Sequence, residues 1–175
     1  MKFVLNRNLL VEGSVEFLQK KDAMNCPLAM QLLSFSGISS VFITANFVTL
    51  TKNSDLDWYE FITIIREFIR DYVASGKPVF TGPSGQIADK SIGQTQTHSA
   101  IESKIVEILE EYVRPAVEQD GGAIVFKSFS EGTVTLIMKG ACSGCPSSSL
   151  TLKTGIENLL KQLVPEVTEV VAEEL

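Results

Sequence analysis

No stretch of this sequence reaches the roughly 18 to 20 consecutive apolar residues that a membrane-spanning helix needs, so no membrane partner is expected. No lysine–arginine cluster with interleaved aromatic residues occurs. Histidine and tryptophan each occur once, which leaves no site built from several imidazoles. Cysteine occurs three times, an odd number in a chain without an export signal, so a disulfide framework is not expected. The start, Met1 to Asn6, alternates like a strand. It has neither a secretory apolar segment nor the Arg- and Ser-rich helix of an organelle presequence. The expectation is a cytoplasmic (bacterial) protein, or one of the mitochondrial matrix if a presequence was removed.

What charge there is lies unevenly. Residues 1–87 carry 8 Lys/Arg and 8 Asp/Glu, and residues 88–175 carry 7 and 13, so the net −6 belongs to the second half. An acidic half argues against a nucleic-acid partner, because such binding is driven by neutralising phosphates. With 175 residues the chain can form two small domains.

The first half reads as an α+β domain over residues 1–87, an antiparallel sheet with helices. Phe3–Leu5 and Val15–Leu18 read as strands, and Asn25–Leu33 as a short helix with Pro27 in its first turn. Ser40–Thr44 and Phe47–Thr51, rich in β-branched and aromatic residues, read as a hairpin around Ala45-Asn46. From Asp57 to Val73 the period becomes helical, with Trp58, Phe61, Ile62, Ile65, Phe68, Ile69 and Tyr72 on one face and Asp55 or Asp57 as cap. No catalytic constellation stands out here. Trp58 reads as core. Cys26, at a helix start that would lower a thiol's pKa, reads most simply as a small, partly buried residue.

Residues from Ser75 onward are rich in Gly, Pro and Ser, and 88–98 reads as a linker. His98, at its end, reads as solvated. The second domain spans 99–175 in the order α-β-β-α-β. A capping box, Ser99 with Glu102, opens a helix whose buried face is Ile101, Ile105, Ile108, Leu109, Tyr112 and Val113, with a bend or tightening near Pro115. Gln119-Asp120-Gly121-Gly122 stops it. Strands Ala123–Phe129 and Thr133–Lys139 follow. A helix from Pro146 to about Leu163 buries Leu150, Leu152, Ile156, Leu159, Leu160 and Leu163, and Val167–Val171 is a last strand.

Between the second strand and that helix stands Gly140-Ala141-Cys142-Ser143-Gly144-Cys145-Pro146. Two thiols two residues apart at a helix start can bind a soft metal or exchange as a redox pair. Free N–H groups and the positive end of the helix dipole favour thiolates there. Structural zinc needs four ligands, and one chain offers two close cysteines and two distant candidates. A dimer could complete a four-thiolate zinc site. A thioredoxin-like dithiol usually occupies a β-α-β setting, whereas an antiparallel hairpin precedes this one. An iron–sulfur cluster takes four thiolates, so two chains facing each other would supply them.

Residues 101–172 resemble the NifU-like domain of the Nfu family of iron–sulfur proteins. The matching pieces are Val113-Arg114-Pro115, Asp120-Gly121-Gly122, Val134-Thr135-Leu136 and the segment from Gly140 to Ser148. Residues 1–87 resemble the family's N-terminal domain, through Pro27-Leu28-Ala29, Leu32-Leu33, Gly37-Ile38, Val41-Phe42 and Phe47 to Lys52. The resemblance implies a non-enzymatic scaffold or carrier. Cys142 and Cys145 of two subunits would bind one [4Fe–4S] cluster in a holo homodimer. An upstream assembly scaffold would load it, and apo iron–sulfur proteins, such as lipoate synthase or aconitase-type enzymes, would receive it. The N-terminal domain would recognise partners. Cys26 matches no ligand of the family. From the residues alone, a thiol–disulfide oxidoreductase is the alternative.

Overall fold

The computed structural model describes residues 1–11, 13–53, 57–81, 99–142 and 146–174, apart from the side chains of 146–149 and 174. It has an α+β architecture in two compact units, residues 1–90 and 91–175. The proposed linker 88–98, His98 and Asp55 lie outside the described residues.

The first unit is a four-stranded antiparallel sheet in the order β1-β4-β3-β2, from β1 (Lys2–Val4), β2 (Ser14–Phe17), β3 (Ile38–Thr44) and β4 (Phe47–Lys52). Strands β3 and β4 form the expected hairpin. One face alternates Phe3, Val15, Phe17, Val41, Ile43, Val48 and Leu50 into a core, as period-2 side-chain alternation requires. Helix α1 (Pro27–Leu32) and helix α2 (Trp58–Ala74) belong to the same core. Asp57, not a residue farther upstream, caps α2 by accepting from Tyr59 N–H. Ile65, Ile69 and Tyr72 are buried, and Trp58, Phe61, Ile62 and Phe68 pack around them half-buried, so Trp58 is core. Val79 and Phe80 return to this core, where the Tyr72 hydroxyl donates to Pro78 O at 2.8 Å.

The second unit is a three-stranded sheet, β5 (Gly122–Ser130), β6 (Thr133–Gly140) and β7 (Glu169–Glu174), with β6 central. The turn at Glu131-Gly132 has positive φ at both residues, 49° and 82°, the twist that a tight hairpin favours. Strands β5 and β6 are antiparallel, while β6 and β7 are parallel. Helix α3 (Ala100–Ile108) opens with the expected box: Glu102 N–H donates to Ser99 Oγ, and Ser99 N–H donates to the Glu102 carboxylate.

Near Pro115 the helix widens, where bending or tightening was expected. Leu109–Val113 form a π turn, with Arg114 N–H bonding to Leu109 O, before α4 (Arg114–Gln119) begins. A proline ring clashes with the carbonyl four residues back and offers no N–H. A wider turn relieves both problems. It also corrects the expected face. An extra residue per turn carries the inward position from Leu109 to Val113 and Val117, and Tyr112 swings out to 55% exposed.

Helix α5 (Pro146–Leu163) differs similarly from expectation. Its buried residues are Ile156 and Leu160, continued by Val164 beyond its end, with Leu152 and Leu159 alongside half-buried. Leu150 is 65% exposed and Leu163 39% exposed. At about 100° per residue, Leu150 lies across the helix from Leu152, and Leu163 is its last residue. The inward stripe meets Val134, Leu136 and Met138 of β6, which form one core with Ile105, Ile108 and Cys142.

Candidate metal centre

The second unit brings the end of one strand, the start of another and the start of a helix to one place. Strand β6 ends at Gly140, directly opposite Gly122, where β5 begins. Gly121 and Gly140 have φ of 85° and 67°, a region that costs glycine nothing and other residues more. Ala141 N–H donates to Gly121 O at 3.3 Å, tying the Asp120-Gly121-Gly122 turn to the segment that carries Cys142. The Gly121-Gly122 turn and the Gly140-Ala141-Cys142 segment therefore hold each other.

Cys142 is buried, 6% exposed, and belongs to the core of this unit. Its Sγ lies against the Gly122 backbone so closely that a Cβ on Gly122 would overlap it. The same Cβ would sit 2.9 Å from Lys139 O, a backbone atom with little room to yield. Gly122 is thus the bed on which the thiol rests. The Asp120-Gly121-Gly122 sequence signals a turn. The closeness of Gly122 to a cysteine twenty residues later depends on the Gly122–Gly140 register, which sequence spacing does not reveal.

Cys145, the second expected ligand, lies outside the described residues, with Ser143 and Gly144. Helix α5 begins one residue after it. Among the described residues, no three His, Cys, Asp or Glu side chains converge as a metal site. The described donor, the sulfur of Cys142, suits zinc, copper(I) or iron–sulfur chemistry.

The loop's setting differs from expectation in one respect. It joins β6 to α5 and leads to the parallel strand β7, so it does stand in a β-α-β unit. Chain order alone hides this, since only pairing with β6 makes β7 parallel. A dithiol enzyme nevertheless needs an accessible, electropositive thiol, and Cys142 is packed under the sheet end.

Cys26 stands elsewhere, in the first unit just before α1. It is fully buried, and burial pushes its thiol up to about 12, outweighing the backbone amides of Ala29 and Leu28 that pull it down. The acidifying effect of the helix start loses to desolvation, which favours the protonated thiol.

The two units meet two family descriptions. Residues 92–171 match the NifU-like domain, and residues 1–76 match the N-terminal domain of Nfu/NifU scaffold proteins. A human protein named NFU1 iron-sulfur cluster scaffold homolog, mitochondrial, is 37% identical over 170 residues, covering 95% of this chain and 65% of that protein. NifU-like protein 4, mitochondrial, of Arabidopsis thaliana is 40% identical over 169 residues, covering 95% and 59%. NifU-like protein 5, mitochondrial, of the same plant is 41% identical over 157 residues, covering 89% and 57%. The chain belongs to the Nfu family, with both domains in its order. It spans about three fifths of the length of these relatives.

Proposed function

We propose that this chain is an iron–sulfur cluster carrier, and that Cys142 and Cys145 of two copies hold one [4Fe–4S] cluster as cargo. The observation that carries the reading is Cys142 fixed on Gly122 at the strand end, with α5 starting four residues later and no third donor converging among the described residues. A cubane cluster asks for four thiolates, and two CxxC loops facing each other supply four. The names of the relatives, which call the human protein an iron–sulfur cluster scaffold, support the same class.

The protein's part in delivery is ligand exchange. Recipient thiols give up protons and bind iron, and the carrier's thiolates regain protons as their iron–sulfur bonds break. No electrons change hands, and no catalytic residue is required. In each copy the glycine bed fixes Cys142. The first unit carries no converging donor set among its described residues, and partner recognition is its proposed role. Of the two expected locations, the bacterial cytoplasm and the mitochondrial matrix, the relatives' names, which say mitochondrial, support the mitochondrial one.

Anaerobic reconstitution with iron and sulfide, followed by mixing with an apo iron–sulfur enzyme, tests the reading. Acceptor activity should rise as the carrier's visible absorbance falls. A reconstituted protein that keeps its cluster in the presence of excess acceptor would sink it. The β-α-β setting keeps a thiol–disulfide oxidoreductase as the second reading. Turnover of a disulfide substrate by apo-protein, lost in both Cys142→Ser and Cys145→Ser, would favour that instead.

A further inference from the structure

Helix α5 starts one residue after Cys145 and turns an uncharged face away from its own core. Leu150 is 65% exposed on that face, and Thr154, Gly155 and Asn158 are exposed with it. At about 100° per residue, Leu150, Thr154 and Asn158 follow one line along the helix, with Gly155 at its flank. They lie across the helix from Ile156 and Leu160, which α5 buries. Lys161, farther along, is matched by Glu157 at 2.6 Å.

Two details suit this face to a close neighbour. Thr154 Oγ1 donates to Leu150 O at 2.9 Å, so its hydrogen is used inside the helix. Gly155 occupies a helix interior, where glycine is disfavoured relative to alanine. Nothing stands within 4 Å of where its Cβ would be, so no close packing inside this chain calls for glycine there. A bare backbone at that point lets a second helix approach closely.

Charge selects the neighbour. The net −6 of the chain lies in residues 88–175. Exposed acids stand on α3 and its π turn (Glu107, Glu110, Glu111) and on β7 (Glu169, Glu173). Two copies repel where such surfaces meet. Helix α5 instead carries Lys153 and Lys161 against Glu157, a net of +1. It is also the helix next to the loop at which a shared cluster needs the second copy.

We infer that this face of α5 is where the two copies that share a cluster touch, Leu150 and Thr154 of each packing against the other's helix beside Gly155. The inference rests on the carrier reading and deepens it. The same patch serves both copies, as two-fold symmetry requires. It is only a few residues wide, well below what a lasting dimer buries. The contact therefore orients the two cysteine loops, and the cluster joins them.

Anaerobic reconstitution of the full chain, followed by native mass spectrometry over a dilution series, tests it. Leu150→Glu and Leu150→Lys should each raise the concentration needed for the two-chain holo species by roughly tenfold or more, since apolar contact is lost and like charges face each other. Thermal melts of both apo variants should match the wild type, because Leu150 is exposed. An equimolar mixture of the two variants, reconstituted together, should recover a mixed two-chain species near the wild-type concentration. Either variant assembling like the wild type would overturn the inference, as would a mixture no better than its parts. A variant that assembles normally but delivers cluster poorly to an apo acceptor would give the face to the recipient and overturn it too. A wild type that forms no two-chain holo species would remove the carrier reading as well, whereas normal wild-type assembly with unaffected variants would remove this inference alone.

Discussion

Two cysteines, Cys26 and Cys142, are both buried and both lie shortly before a helix, yet the molecule treats them in opposite ways. Cys26 sits inside the packed core of the first unit, and its surroundings are apolar enough to push the thiol to about 12. Cys142 sits at the margin of its sheet, on a glycine, in a segment that leads at once to another cysteine. Burial alone therefore does not decide what a thiol does. Cys26 is shut in among apolar side chains, whereas Cys142, also in a core, has its Sγ against the bare Gly122 backbone where β5 begins.

The widest break in this comparison should come from Cys142→Ser. It should leave reconstituted protein without cluster absorbance, since an alcohol is a poor ligand for iron–sulfur chemistry. Cluster content equal to wild type would remove Cys142 from the ligand set. Gly122→Ala comes next. Its new methyl must displace Cys142 Sγ or part β5 from β6, because Lys139 O also stands in its way. Cluster content should fall severalfold although both cysteines are present, and iron counting beside a thermal melt separates this loss from unfolding. Gly122→Ala protein that binds cluster normally would show that the glycine bed plays no part.

Cys26→Ala should leave cluster content unchanged and lower stability by about 1–2 kcal/mol, the cost of a small cavity in a core. It should also alter the alkaline limb. In the folded protein Cys26 holds its proton up to about 12, whereas its ordinary value is 9.0. Above pH 9 the unfolded chain loses a proton that the folded chain keeps, so this stabilisation is full below pH 9 and is lost as pH rises toward 12. Denaturation at stepped pH should show the wild type losing stability faster than Cys26→Ala in that window. The smallest effect expected is a gain. Gly155 lies inside α5 with open space around it, so Gly155→Ala should raise stability by about 0.5–1 kcal/mol.

Much of this was legible in the sequence because local rules and tertiary packing agree. The Ser99–Glu102 box, the β3–β4 hairpin and the α-β-β-α-β order all follow from residue types at fixed offsets, and the aspartates before Trp58 mark the start of α2 to within two residues. Legibility failed where a helix departs from 3.6 residues per turn. Regular spacing puts Tyr112 inward, and the π turn before Pro115 rotates it out. It failed again where pairing partners are distant in sequence. The parallel β6–β7 ladder and the Gly122–Gly140 register cannot be read from either strand alone, and the second of these makes the candidate site. Cys26 is buried in the core, as its reading as a small buried residue expects, and burial that only the folded core supplies outweighs the local helix-start effect on its thiol.

The central claim is that the site is half a site, completed by a second chain. Native mass spectrometry of anaerobically reconstituted protein measures it directly. The account predicts a species of two chains with four iron and four sulfide, which falls apart to cluster-free monomers when the cluster is destroyed by oxygen. A single chain carrying a complete cluster, or a two-chain species that forms equally well from Cys142→Ser protein, would contradict it.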